Sequence, residues 1–403
     1  MLIAGEASGD MLAAELVRAL RAELTAADVS YTPDSQPLHT GLEPRFFGAG
    51  GPRMAAAGVE LAFDLTEHSI IGIPSPKSYL ASKRRFDELV QLALERQPDV
   101  IIGIDYNYFN LKFAETIRQY TGRRAGWFHD WRPKIVKYVS PQVWSSRAGR
   151  AYEIARDFDL LLSIFPFEKD WYARKVPELR VEFIGHPMVE RFLNAAPLQL
   201  PATTVSAAPR ILLLPGSRPK EIQRHLPVML GALEIIREKF PQCSARIVLP
   251  DQKLAERAKS LGVPPEVGIQ IGKLSEALTQ ADVAIASTGT VAMECAFFGV
   301  PTVTLYKTFW ATFEVGKRIA TVKWLTMPNL LADAEVFPEF IQNAATAENL
   351  SHAALDLLQN ESRRAALKRR LAEIISTLGG PGASERAAQA IGSLLKPDAG
   401  ENS

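Results

Sequence analysis

Short apolar runs recur along the chain, each ending in polar turn residues and followed by a longer amphipathic segment. Leu2-Ile3-Ala4-Gly5, Val100–Gly103, Ile135–Val139 and Leu160–Phe165 are of strand length. The segment after the first of them carries Leu12, Leu16 and Leu20 on one helical face. Alternation of this kind predicts an α/β chain built on doubly wound parallel sheets. At 194–209 the composition shifts to Ala, Pro and Thr without charge, which reads as a linker. The alternation then restarts, with strands at 211–214, 245–249, 269–271 and 283–286 and helices at about 226–239, 253–261 and 274–280. From about 347 to 395 the pattern is helical, broken at Asn360 and at Gly379–Gly382. Two Rossmann-like domains, 1–193 and 210–365, are expected to face each other across a cleft. Helices from 366 to 403 would return to the first domain or pass to a partner.

The 403 residues are 47% hydrophobic and 23% charged, ordinary for a globular protein. A net charge of +1 argues against a bulk nucleic-acid binder. Cys243 and Cys295 are too few for a disulfide framework, and no CxxC or His-rich cluster suggests a metal site, so a reducing compartment fits. No signal-peptide pattern opens the chain, and its most apolar segments, such as Leu160–Phe167, are too short to span a bilayer. A soluble or peripheral protein is expected. Between Lys112 and Arg150, basic residues outnumber acidic ones and are interleaved with Trp127, Phe128, Trp131 and Trp144. That reads either as a solvated loop over core aromatics or as a surface for anionic lipid headgroups.

Candidate site residues cluster where strands should end. Leu212-Leu213-Leu214 stops abruptly at Pro215-Gly216-Ser217-Arg218. Ligands of parallel sheets bind at that carboxyl edge, where glycine lets a ligand approach and helix N–H groups attract anions. The fork of Arg218 suits a diphosphate, although a surface arginine on an ordinary turn has the same sequence. Ser287-Thr288-Gly289-Thr290 repeats the pattern, and Glu294 follows one turn into the helix, where a carboxylate can accept both hydroxyls of a ribose or merely complement the helix dipole. Asn329, in Met327-Pro328-Asn329, offers an amide to a donor molecule.

In the first half, Gly5-Glu6-Ala7-Ser8-Gly9-Asp10 makes a tight turn in which Ser8 or Asp10 can cap a helix, and Gly48–Met54 makes a second. Gly103-Ile104-Asp105 puts a carboxylate at a strand end, as a general base or as a helix cap. Ser140-Pro141-Gln142-Val143-Trp144 reads as a polar pocket with an aromatic wall or as a Pro turn over a core tryptophan. His186, between Gly185 and Pro187, fits acid–base work, a phosphate contact or a hinge.

GEASGD, GGPRM, GID with FN after it, KIVKYVSPQVW, PFEKDWY, FIGHP, LLLPGSRPKEI, STGTVAMECAFFGVP and MPNLLA, in this order, resemble the lipid-A-disaccharide synthase family of GT-B glycosyltransferases. The resemblance runs from Met1 to about Leu331. It implies transfer of 2,3-diacylglucosamine from its UDP derivative to 2,3-diacylglucosamine 1-phosphate, giving a β(1→6) disaccharide 1-phosphate and UDP. It also implies inversion without metal or cofactor, a cytoplasmic enzyme peripheral to the inner membrane, and dimers that exchange carboxyl-terminal segments. By position, Asp105 would deprotonate the acceptor, with Ser8, Gly9, Asp10, Ser140, Gln142 and His186 around it in an acceptor domain. Gly216, Ser217, Arg218, Ser287, Thr288, Gly289, Thr290, Glu294 and Asn329 would hold the UDP-sugar. The chain departs from the family at Tyr106 and at Asn107-Tyr108, where a second aspartate is usual. It departs again at an insertion over 122–133, at a longer first crossover over 31–44, at Ile73-Pro74-Ser75-Pro76, and at a start close to the first motif. Two rivals remain at this level: an epimerase-like or other GT-B UDP-sugar enzyme, and a silent nucleotide-sugar-binding protein.

Overall fold

A computed structural model describes residues 1–27, 43–66, 76–124, 126, 129–195 and 208–395. The crossover at 31–42, the stretch 73–75 and most of the linker lie outside those residues, as do Trp127 and Phe128 of the insertion. The chain divides into two compact units, Met1–Pro187 with Gly380–Ser403, and Met188–Gly379.

The first unit alternates β1 (Leu2–Ala4), α1 (Ala7–Ala27), β2 (Phe47–Gly50), α2 (Pro52–Ala56), β3 (Glu60–Asp64), α3 (Pro76–Arg96), β4 (Val100–Ile104) and α4 (Asn107–Arg124). It continues through β5 (Lys134–Tyr138), α5 (Arg150–Asp157), β6 (Leu160–Ser163), α6 (Pro166–Lys175) and β7 (Arg180–Phe183). All pairings are parallel, in the order β3-β2-β1-β4-β5-β6-β7. Successive strand side chains point to opposite faces, so an unbroken apolar run feeds two cores. Ile3, Ile101, Ile135 and Leu161 pack with Phe113 and Ile117 of α4, whereas Leu2, Ile102, Val136 and Leu160 pack with Leu16 and Val17 of α1. The order reverses between β1 and β4, leaving a crevice at the ends of these two strands.

The second unit opens with α7 (Pro187–Ala195) and repeats the plan. It runs β8 (Arg210–Leu214), α8 (Pro219–Lys239), β9 (Ser244–Leu249), α9 (Gln252–Lys259), β10 (Val267–Ile271), α10 (Leu274–Gln280), β11 (Val283–Ser287) and α11 (Thr290–Phe297). β12 (Thr302–Tyr306), α12 (Trp310–Ile319), α13 (Met327–Ala332), β13 (Glu339–Ile341), α14 (Ala347–Gln359) and α15 (Glu361–Thr377) follow. Its parallel sheet has the order β10-β9-β8-β11-β12-β13, with the reversal between β8 and β11. α8 begins at Pro219, seven residues before the expected start, and runs through Pro227. Buried Ile222, Leu226, Met229 and Leu233 hold it against the sheet, outweighing the one backbone donor that Pro227 removes.

The boundary expected at 366 falls inside α15, which packs on α11 and α13 and stays with the second unit. Only α16 (Ala383–Leu395), beyond the Gly379–Gly382 break, joins the first unit. There Ala387, Ala388 and Ile391 fill the core against α1, and Arg386 Nε donates to the Ile184 carbonyl at 2.7 Å.

Candidate active site

In the second unit, a pocket of about 420 Å³ opens at the strand ends where the order reverses. Gly216, Ser217, Arg218, Ser287, Thr288, Gly289, Thr290 and Glu294 all line it. Eight of the nine residues expected to hold a UDP-sugar therefore meet in one place. Gly216 and Gly289 have φ of 119° and 140°, a region open to glycine, which lets both loops turn back toward the helices they introduce. α8 and α11 start at this edge, so unpaired N–H groups and two positive dipole ends are directed at the pocket. Three further side chains were not legible beforehand. Lys273 stands at the start of α10. Glu221 accepts from Ser217 N–H at 3.2 Å and from Arg218 at 3.3 Å, so a carboxylate rests on donors that suit a diphosphate. His225 is fully buried. Its Nε2 accepts from Lys307 N–H at 3.0 Å, so Nδ1 carries the proton and donates to the Pro215 carbonyl at 2.8 Å. Burial holds its pKa below the usual value, and the neutral ring braces the Pro215–Arg218 turn. Burial likewise pushes the Glu294 carboxyl up to about 7, with Arg191 pulling the other way.

In the first unit, Asp105 directly follows β4 at the crevice between β1 and β4, ahead of α4. Asp105 and Tyr106 have φ of 45° and 39°, left-handed values that cost side-chain-bearing residues about 1 kcal/mol or more each. Two buried donors hold the turn. Asn110 Nδ2 reaches the carbonyls of Ile104 at 3.2 Å and Asp105 at 3.0 Å. Lys137 Nζ reaches the Asp105 carbonyl at 2.5 Å, and burial pushes its ammonium down to about 7. The carboxylate of Asp105 thus sits on a fixed, strained corner rather than in a helix cap. The Tyr106 ring lies where a Cβ on Gly5 would stand, 2.3 Å away, and stacks on Phe109 with centroids 5.2 Å apart. The ring fills this corner of the crevice.

The remaining expectations divide. Ser8 is exposed in the first turn of α1, and Gly9 is buried beside it. Asp10 is corrected: its buried carboxylate accepts from Gly51 N–H at 2.9 Å, Arg53 N–H at 3.0 Å and Met54 N–H at 2.9 Å. It caps α2 and ties the two glycine turns together, leaving no free face for an acceptor. Ser140 is corrected similarly, since its buried hydroxyl faces Tyr172 and Glu168. Burial pushes Glu168 up to about 7, and Trp144 Nε1 donates to it at 3.0 Å. Gln142 is exposed, while His186 is half-buried with its ring 5.3 Å from Phe165.

Asn329 does not line the pocket. Its fully buried amide donates to the Phe337 carbonyl and to Glu339, and accepts from Val336 and Phe337 N–H, all at 2.8 Å. Asn329→Ala is therefore expected to destabilise the protein by about 2–4 kcal/mol in denaturant titration, with UDP affinity unchanged in calorimetry.

The basic aromatic stretch is partly core and partly surface, with Lys112, Arg123, Arg132, Lys134 and Arg147 exposed. Lys137 and Trp144 are buried, Arg118 pairs with Asp159 at 2.5 Å, and Trp131 Nε1 donates to the Pro98 carbonyl at 3.0 Å.

Two doubly wound units, the second with a pocket at its switch point, define a protein of the GT-B fold class. Solved structures share that architecture. A putative UDP-N-acetylglucosamine 2-epimerase from Listeria monocytogenes matches with a TM-score of 0.59 at 15% identity, over 98% of this chain and 95% of that one. The calicheamicin glycosyltransferase CalG4 matches with a TM-score of 0.55 at 14% identity, over 98% of both. Such distant likenesses show the fold alone. The particular family is fixed by sequence: residues 1–393 match Lipid-A-disaccharide synthetase, and the chain belongs to that family. A lipid-A-disaccharide synthase of Chromohalobacter salexigens is 35% identical over 404 residues, covering 98% of this chain and 96% of the relative. One from Alkalilimnicola ehrlichii is 34% identical over 405 residues, covering 97% of each.

Proposed function

We infer that this chain is an inverting UDP-sugar glycosyltransferase that forms the lipid A disaccharide. It moves 2,3-diacylglucosamine from UDP to the 6-hydroxyl of 2,3-diacylglucosamine 1-phosphate. The observation that carries this reading is the pocket uniting Gly216–Arg218, Ser287–Thr290 and Glu294 at one sheet edge in a member of this family. Arg218 and the α8 and α11 N-termini take the diphosphate, and Glu294 accepts from the ribose hydroxyls. In the first unit, Asp105 removes the proton of the acceptor hydroxyl. The oxygen attacks the anomeric carbon as the bond to UDP breaks on the opposite side, so the configuration inverts. The electron pair leaves with UDP, whose growing charge falls on Arg218 and the helix ends.

Among the described residues no helix is long and apolar enough to cross a membrane. Acylated substrates support a peripheral position at a lipid surface, which this reading takes to be the cytoplasmic face of the inner membrane. The packing of α16 on α1 is the contact that two copies would trade in a dimer. Incubation with both substrates should yield tetraacyl-disaccharide 1-phosphate and UDP by mass spectrometry. Tight UDP binding with no product would favour a silent nucleotide-sugar-binding protein.

A further inference from the structure

Five of the ten large apolar side chains that stand exposed among the described residues lie between Phe309 and Leu325. Phe309 is 63% exposed, Trp310 71%, Val315 59% and Ile319 44%. They belong to α12 and its flanks. Val315 and Ile319, four apart, share one helical face with Arg318 at its border, and Lys317 lies on the opposite side with Trp310. Lys323 follows, its ammonium 4.8 Å from the Trp324 ring centroid. Glu314 is the sole acid from Lys307 to Leu325. Apolar side chains led by a tryptophan and bordered by cations are what an anionic bilayer interface selects, because the rings and aliphatic groups enter the acyl boundary while the cations meet headgroup phosphates.

The position fits the chemistry. α12 leaves β12, which pairs with β11, and β11 ends in the Ser287–Thr290 loop of the pocket. The apolar helix therefore starts at the same sheet edge, one strand away from the place proposed for the donor diphosphate. A donor carrying two acyl chains can stay rooted in lipid only if that edge lies against the bilayer. We propose that α12 with its flanks, Phe309 to Leu325, is the surface by which this protein docks on anionic phospholipid. This rests on the membrane-peripheral reading above and gives it a location.

The test uses the full-length chain and sedimentation with vesicles of phosphatidylcholine mixed with phosphatidylglycerol. Wild type should co-sediment, less so as salt rises. The combined variant Trp310→Ser, Val315→Ser, Ile319→Ser should bind about tenfold more weakly or worse. Lys317→Glu with Arg318→Glu should lose binding and its salt dependence. Both should turn over detergent-dispersed substrates as wild type does, which also shows that they are folded. If wild type binds no vesicles, the membrane reading itself falls. If wild type binds and both variants bind equally well, that reading stands and the assignment to α12 is overturned. Equal binding to pure phosphatidylcholine would refute the headgroup charge, and a wild-type dimer that the apolar variant dissolves would give the face to a second copy.

Discussion

Asp105→Asn is expected to lower the rate of disaccharide formation by about a hundredfold to ten-thousandfold, the range for losing a positioned general base. UDP affinity should not change, because the residues lining the donor pocket all belong to the second unit. Asparagine keeps the shape of the side chain and its tolerance of positive φ, so the corner survives without its base. Comparable turnover by wild type and variant would remove Asp105 from the mechanism. Lys137→Met is the companion test, since it frees the Asp105 carbonyl and removes the cation that attracts the Asp105 carboxylate. We expect kcat to fall by about tenfold, with the midpoint of thermal unfolding held or raised, because a buried cation is replaced by an apolar chain of similar length. A purely structural lysine would show the reverse split. The sign with pH follows from its lowered pKa. Below about 7 the ammonium is charged in both folded and unfolded chains, so its burial cost is complete; that cost fades as pH rises toward 10.5. Wild type should gain stability relative to the methionine variant over that interval.

The second large effect concerns the donor. Arg218→Ala should weaken UDP binding by about tenfold to a hundredfold, the value of charge-assisted hydrogen bonds to a diphosphate. Its present ion pair with Glu221 is exposed and weak, so little holds the guanidinium back from a ligand. Glu294 adds a pH signature. With its carboxyl pushed up to about 7, the ionised form that accepts from both ribose hydroxyls is lost as pH falls through that value. Affinity for UDP should therefore drop between pH 8 and 6 in calorimetry. Glu294→Gln should bind weakly at every pH, and a wild-type affinity flat across this interval would place the ribose elsewhere.

Local pattern carried a good deal of this. Apolar runs of strand length ending in Gly, Ser or Asp located β4, β8 and β11 and the loops that follow them, because a buried parallel strand must be apolar and its exit must turn. The breaks at Asn360 and Gly379–Gly382 separated the last three helices for the same kind of reason: Asn360 accepts from Arg363 N–H as a cap, and Gly379 has a φ of 81°. What pattern missed was partnership. Asn329 looked like a ligand amide because a polar side chain among apolar neighbours is equally a site residue or a satisfied core group. Asp10 had the spacing of a cap for its own helix and serves another, 41 residues away. The exposed apolar side chains of α12 were missed for the opposite reason, since nothing local separates an exposed Trp, Val or Ile from a core one.

By itself, then, the sequence determined the α/β alternation, the parallel sheets and the edges at which chemistry is placed, all consequences of short-range burial and turn preferences. Only the tertiary structure decided which polar groups remain available, because hydrogen bonds to other parts of the fold consume Asp10, Ser140, Asn329 and His225 and leave Arg218 and Glu294 lining a pocket. It also decided that Lys137 would be buried beneath Asp105, a contact between two strands that no local spacing encodes.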